Sequence, residues 1–442
     1  MRRLAWLLLL LLAPRPAGAA EAALASQARA TLERATACLR TISTHGAYAG
    51  IYSLDLRQRY GEALYHRAGA DDIWVQPPGT PSVGQAFLRA YRATGDQRLL
   101  EAARETAQAL AWGQRREGGW DYLASMSGFR ASPFAPPRPS GACTFDDNVT
   151  QGALRFLMSL DEVVDAPWLT QAVTAGLSCL LRSQFPNGAW PQRYPLGGGY
   201  ADCYTFNDSA INDCLYTLLA AHRQYGKAEY LQGARRGGDF IVLSQLPAPQ
   251  AGWAQQYSRD LRPAWARKFE PPAVCASVTS HNIRTLVDLY LYTRDAKYLA
   301  PIPAAISWLN RSQIAEGRWA RLYELGTNRP LYGDRDGKVH YTLEEISEER
   351  RRGYSWQGEY GLKGIRYYQQ LTEQGADRFQ AERDRLPNDQ DRARHAAELA
   401  PRVREIIQAQ DAQGRWITDG MLHIRTFVDN MNRLCEYLEA AR

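Results

Sequence analysis

The chain has 442 residues, 45% of them hydrophobic, which is ample material for a sizeable core. Its net charge of +6 is mild, and no basic run or basic–aromatic interleave accompanies it, so nothing points to nucleic acid. Cys38, Cys143, Cys179, Cys203, Cys214, Cys275 and Cys435 include no CxxC pair, which argues against a zinc site.

The first element is a leader. Arg2 and Arg3 start it, Leu7 to Leu12 form an apolar run, and Ala17-Gly18-Ala19 supply a small-residue exit. That layout predicts a secretory signal peptide over residues 1–19. The run is too short to cross a bilayer of about 30 Å. No later segment is apolar enough, so no stable membrane anchor is expected. The mature chain, residues 20–442, is expected as a single domain and a monomer, secreted or periplasmic. Cys143 and Cys203 lie close to acidic motifs. A bridge between them and burial as free thiols are both open.

An internal repeat follows. QRREGGW (Gln114 to Trp120), QFPNGAW (Gln184 to Trp190), QIAEGRW (Gln313 to Trp319) and QDAQGRW (Gln410 to Trp416) each end an apolar helical stretch. A longer copy runs from Gln245 to Trp253. Between them recur short turns, TGDQRLL, YGKAEYL and TRDAKYL, flanked by apolar residues at helical spacing. The unit is helix, turn, helix, then a Gly- and Trp-bearing loop. Such pairs stack to bury their apolar faces, either in an open solenoid or in a closed all-α (α/α) toroid. The toroid is favoured because the long loops, rich in Trp, Gly and charge, would then gather at one end and line a shared cleft.

Four loops carry the polar residues. TFDDNVTQ holds Asp146, Asp147 and Asn148, and YTFNDSAIND holds Asn207 and Asp208. One acid or amide before a helix is usually a cap. Two such groups suggest oxygen ligands for a hard cation such as Ca2+. WAQQYSRDLRPAWARKFEPPA places Arg267 beside Trp265, Phe269 and Glu270, where a structural ion pair is the plain alternative. The last loop interleaves Arg321, Arg329 and Arg335 with Tyr323, Tyr332 and Tyr354. Guanidinium groups suit carboxylates and aromatic faces suit sugar rings, so an anionic carbohydrate is implied. No nucleophile elbow, P-loop or dinucleotide fingerprint competes. The set fits β-elimination from a uronate, in which a cation neutralises the carboxylate as a carbanion develops.

These motifs resemble the family-ten pectate lyases. The matching strings are TFDDNVTQGALRFL, SQFPNGAWPQRYP, YTFNDSA, PAWARKFEPPA and RWARLYELGTNRPLYGDRDG, with GYSW after them, spanning about Gln76 to Trp356. The resemblance implies an (α/α) toroid and calcium-dependent cleavage of polygalacturonate. It implies catalytic roles for Asp147 and for Arg267 as base. Metal ligation falls to Asp147, Asp208 and Asn207, and substrate binding to Asn148, Arg321, Arg335, Tyr323, Trp190 and Arg193. Where a Glu-Ser pair is expected after EPPA, this chain has Val278-Thr279, followed by Ser280-His281. Other readings stay open. One is a glycoside hydrolase with Asp147 and Asp208 as acid and base. Another is a lyase for a different uronic-acid polymer, and a third is a non-catalytic uronan-binding protein.

Overall fold

The computed structural model describes residues 17–131 and 136–442. The expected leader, residues 1–19, lies outside the described residues up to residue 16. The helices are α1 (Ala17–Ile42), α2 (Thr80–Thr94), α3 (Gln97–Gly113), α4 (Val149–Asp161), α5 (Pro167–Ser183), α6 (Ala210–Tyr225) and α7 (Ala228–Leu243). They continue as α8 (Ala276–Thr293), α9 (Ile302–Arg311), α10 (Glu348–Gly353), α11 (Leu362–Gln374), α12 (Ala376–Asp384), α13 (Asp389–Ala409) and α14 (Ile424–Ala440).

The short turns at one end are set by local chemistry. Gly95 takes φ 79° and stops α2, and the Asp96 carboxylate then accepts from the Arg98 amide to start α3. Gly226, at φ 69°, stops α6 in the same way. These helices bury one stripe each. Inner helices pack in the order α14, α2, α4, α6, α8, α11, and α3, α5, α7, α9, α13 and α1 lie outside them. The result is the (α/α) toroid. The first and last helices form one of its hairpins, since α14 packs on both α1 and α2.

The recurrent Gln and Trp are structural. Each Trp is buried, and its indole N–H donates to a carbonyl of the preceding helix: Trp120 to Leu110, Trp190 to Leu180, Trp319 to Leu309 and Trp416 to Ile406. Each Gln stitches one unit to the next. The Gln114 amide donates to Gly118 and Ala172, Gln184 to Gly188 and Gly233, and Gln245 to Ala251 and Pro301. Gln410 donates to Gly414 and, across the closure, to Thr31. Gln313 departs from this, because residues 313–315 form a strand edge.

The long loops gather at the other end and pair with their neighbours through strands of two to four residues. Residues 51–53 pair with 421–423, 72–74 with 123–125, 143–144 with 193–194, 204–205 with 256–257, and 274–275 with 322–323. This rim of short strands is not visible in the helical periodicity. All seven cysteines are free. Cys143 lies beside Cys179 on α5 and not beside Cys203.

Candidate active site

Two neighbouring loops end in the same strained turn. Thr144-Phe145-Asp146-Asp147-Asn148 enters α4, and Thr205-Phe206-Asn207-Asp208-Ser209 enters α6. In each, two consecutive residues adopt the left-handed region: Asp147 (φ 48°) and Asn148 (φ 59°), then Asp208 (φ 45°) and Ser209 (φ 65°). That conformation costs energy for a residue with a Cβ and persists only where surroundings impose it. A repeated scaffold imposes it here. The Phe145 amide donates to Gln192 O at 2.9 Å, and the Phe206 amide to Gln255 O at 2.7 Å. The two glutamine side chains repeat the pattern, Gln192 donating to Asp146 Oδ2 at 2.7 Å and Gln255 to Asn207 Oδ1 at 2.8 Å. Neither Asn148 nor Ser209 caps its helix through its side chain. The turns instead carry carboxylates into the cleft. Oxygens of Asp146, Asp147 and Asp208 lie within 4.8 Å of one another.

Three acids this close oppose each other's charge. Burial, then Asp208 and Asp147, push the Asp146 carboxyl up to about 7. Protein packed around their carboxylates likewise raises Asp147 and Asp208, although Asp208 stays open to the cleft. The Tyr122 hydroxyl lies 3.1 Å from Asp146 Oδ2 and 2.9 Å from Asp147 Oδ2, and burial with these acids holds that phenol protonated. Asp146 Oδ2 thus has two protein partners, whereas Oδ1 is buried with none. An orphaned carboxylate oxygen amid three carboxylates fits a hard divalent cation.

Asp146 was not in the expected ligand set, and Asn207 was. The structure brings Asp146 together with Asp147 and Asp208 and gives the Asn207 side chain partners within the protein. Asn207 is buried, its amide N–H donates to Asp208 Oδ2 at 2.7 Å, and its Oδ1 accepts from Gln255. It positions Asp208.

Two arginines flank the acids. Arg267 meets Glu270 through Nε and Nη2 at 2.8 and 2.6 Å, the ion pair weighed as the plain alternative. Glu270 is 2% exposed and also accepts from the Tyr354 hydroxyl at 3.0 Å. Burial raises its carboxyl, but Arg267 overrides this and holds it below its ordinary range. Glu270 in turn raises Arg267 further above an already high value. Arg321 projects over the Tyr354 ring at 4.5 Å, and its Nε is buried without a partner. Both guanidinium charges act on Asp208, offsetting part of that rise.

Other expected residues separate. Asn148 is half-buried, with its Oδ1 held by Arg155 at 2.5 Å. Arg193 adjoins Gln192 and pairs with Asp121 at 3.2 Å on the rim. Arg335 is exposed and pairs with Glu349 at 3.0 Å. Trp190 and Tyr323 are corrections. Both are at most 1% exposed, their polar atoms bonded to the carbonyls of Leu180 and Ser312, so neither can face a sugar. Val278 and Thr279 are buried too, and the Thr279 hydroxyl meets the Trp253 amide at 3.0 Å. The departure from the expected Glu-Ser pair is therefore a core feature.

Sequence reasoning missed Tyr122, Gln192 and Gln255. All three, with Arg321, stand two residues after a repeat Trp (Trp120, Trp190, Trp253, Trp319). That shared position was the available signal.

The helical ring is a fold that solved polysaccharide lyases of family 10 share with this chain. Such an enzyme from Cellvibrio cellulosa, an aspartate-to-alanine mutant in complex with trigalacturonic acid, is 25% identical to this chain, with a TM-score of 0.53. The match covers 65% of this chain and 98% of that one. A second structure of the Cellvibrio cellulosa family 10 lyase is 24% identical, TM-score 0.52, covering 66% and 97%. A family model described as pectic acid lyase matches residues 121–318 and 315–365, more than half of the sequence. The chain belongs to the pectic acid lyase family, and it is a polysaccharide lyase. That removes the hydrolase reading. A comparison with curated proteins gives no match. Among the described residues no helix is long and apolar enough to cross a membrane.

Proposed function

We propose that this lyase cleaves polygalacturonate by β-elimination, with a calcium ion held by Asp146, Asp147 and Asp208, and that it acts after export. One observation carries the reading: three carboxylates within 4.8 Å, one with a buried oxygen lacking any partner, flanked by Arg267 and Arg321. Calcium, when bound there, would neutralise a uronate carboxylate and so acidify the proton at C5.

The remaining steps fall to side chains. Arg321, half-buried with its Nε unpartnered and without an ion-pair partner among the described residues, binds the uronate carboxylate. Arg267, once its guanidinium has released a proton to solvent, takes the proton from C5. The C5–H electron pair becomes the C4–C5 double bond, the C4–O bond breaks, and the departing sugar oxygen takes a proton from water. Glu270 keeps the Arg267 guanidinium protonated in the resting geometry, so abstraction requires that pair to open and the freed guanidinium to lose a proton to water. Tyr354 already donates to Glu270, and Gln255 sits 3.5 Å from it, so the carboxylate keeps partners as the guanidinium turns away. The trigalacturonic acid bound by the similar Cellvibrio lyase supports the sugar. The basic, apolar, small-residue leader supports export.

The test is near-ultraviolet absorbance of the C4–C5 double bond during incubation with polygalacturonate, alginate and glucuronan, with and without chelator. Absorbance from polygalacturonate, abolished by chelation, is expected. Absorbance indifferent to chelator sinks the calcium role, and absorbance only from another uronan sinks the substrate.

A further inference from the structure

The loop between α1 and α2 reaches the cleft from outside the family-matched segment, which begins at residue 121. Its strands 51–53, 59–60 and 67–68 form a sheet with 417–418 and 421–423. Strand 72–74 then pairs with 123–125, next to Tyr122. The hairpin tip is closed by Gly61 N–H donating to His66 O at 2.7 Å and His66 N–H to Ala63 O at 2.9 Å. It is also pinned sideways. A Cβ on Gly61 would come within 2.4 Å of the Trp74 ring, so only glycine admits this contact.

From the tip, aromatic rings run inward in a row. Tyr65 lies 4.3 Å from His66, His66 stacks on Trp74 at 5.7 Å, and Trp74 lies 6.1 Å from Tyr122. Tyr122 is the phenol on Asp146 and Asp147. The outer end of the row is open, with Tyr65 80% and Leu64 56% exposed. A lone exposed tyrosine needs no explanation. One that ends a packed row leading to the carboxylate cluster does. Glu62, on the same tip, is near enough for its charge to add to burial in raising Asp147.

We propose that hairpin 61–66 is a wall of the cleft and forms a further sugar subsite, in which the Tyr65 ring stacks on a pyranose of the bound chain beyond those held at Asp147 and Arg321. This rests on the lyase reading above. Stacking uses the apolar face of the sugar ring and the flat face of the phenol. The occupant is therefore a hexopyranose of the same polysaccharide, placed by continuity with the acid and arginine cleft. Only chains long enough to reach the wall gain from it.

The experiment compares the wild type, Tyr65→Ala and Tyr65→Trp on galacturonate oligomers from the trimer upward and on the polymer, with calcium. For Tyr65→Ala, KM should rise about three- to tenfold on the polymer and longer oligomers. KM on the shortest oligomer cleaved should stay unchanged, as should kcat, and Tyr65→Trp should restore long-chain KM. An unchanged KM at every length overturns the proposal, and so does an equal rise at every length. Should the wild type yield no unsaturated product, the lyase reading fails separately. The wall is then read by retardation in gels containing polygalacturonate: weaker retardation of Tyr65→Ala upholds it, and equal retardation overturns it.

Discussion

Arg267 and Glu270 face one another through two hydrogen bonds of 2.8 and 2.6 Å, with the carboxylate sealed from solvent and the guanidinium partly open. The buried acid has no comparable cation to turn to, so the pair fixes both the position and the protonation of the arginine. A lysine could keep the charge but not the fork.

Arg267→Lys should therefore lower kcat at least a hundredfold while the circular dichroism of the helical ring persists. Rates within a few-fold of wild type would remove Arg267 as the base.

Calcium binding should depend on pH. Asp146 has its folded carboxyl raised to about 7, so protonation favours the metal-free fold. That stability is present at low pH and is lost as pH rises through about 7. Calcium competes with the same proton. Its affinity by calorimetry should be at least tenfold higher at pH 8 than at pH 5.5, and its stabilisation of the thermal midpoint correspondingly larger. Equal affinities at the two values would count against Asp146 as a ligand.

Tyr122→Phe removes the one hydroxyl shared by Asp146 and Asp147 while keeping the ring that packs on Trp74. Calcium affinity should fall about 10- to 100-fold, with little change in unfolding midpoint without the metal. An unaltered affinity would show that the phenol only fills space.

Trp190→Ala should behave as a core deletion. The indole is fully buried and bonded to Leu180 O, so denaturant unfolding should show a loss of about 3–5 kcal/mol. A raised KM without loss of stability would restore it to the sugar face.

Arg321→Ala and Arg335→Ala should differ sharply. Arg321 is half-buried with its charge acting on Asp208, whereas the Arg335 side chain is 63% exposed and paired to an exposed glutamate. The first should cut kcat/KM about a hundredfold or more. The second should change it less than about threefold, in keeping with a solvent-screened pair.

The ring was legible because Gln and Trp recur at the outer-helix ends, where each is needed once per unit. Gln184, for instance, joins its own loop to Gly233 of the next hairpin. The acid-bearing turns were legible as an excess of acids and amides over what capping needs. What the sequence did not reveal is direction. Trp190 sits in a motif rich in site residues, yet its indole turns into the core while Gln192, two residues on, turns to Asp146. In the second turn Asn207 is buried, while in the first Asp146 offers an oxygen without a partner. Both turns share a left-handed pair, so the difference lies in the partners that the neighbouring loops supply, and those are not visible in a string of letters. The 61–66 hairpin escaped notice because its strands are two residues long and carry no helical period.

The hairpin made by α14 and α1 has no covalent turn. The Tyr437 hydroxyl and Glu21 O are 3.5 Å apart, so α14 and α1 meet where α2 and α3, α4 and α5, and α6 and α7 have short connections. The order of helices around the circle is thus independent of where the chain is cut. A circular permutant that links residue 440 to residue 21 and opens at Gly226 keeps every packed pair and every loop of the cleft. In the natural order the circle cannot shut until its last helix has been made, so the cleft is completed only after synthesis has passed residue 440.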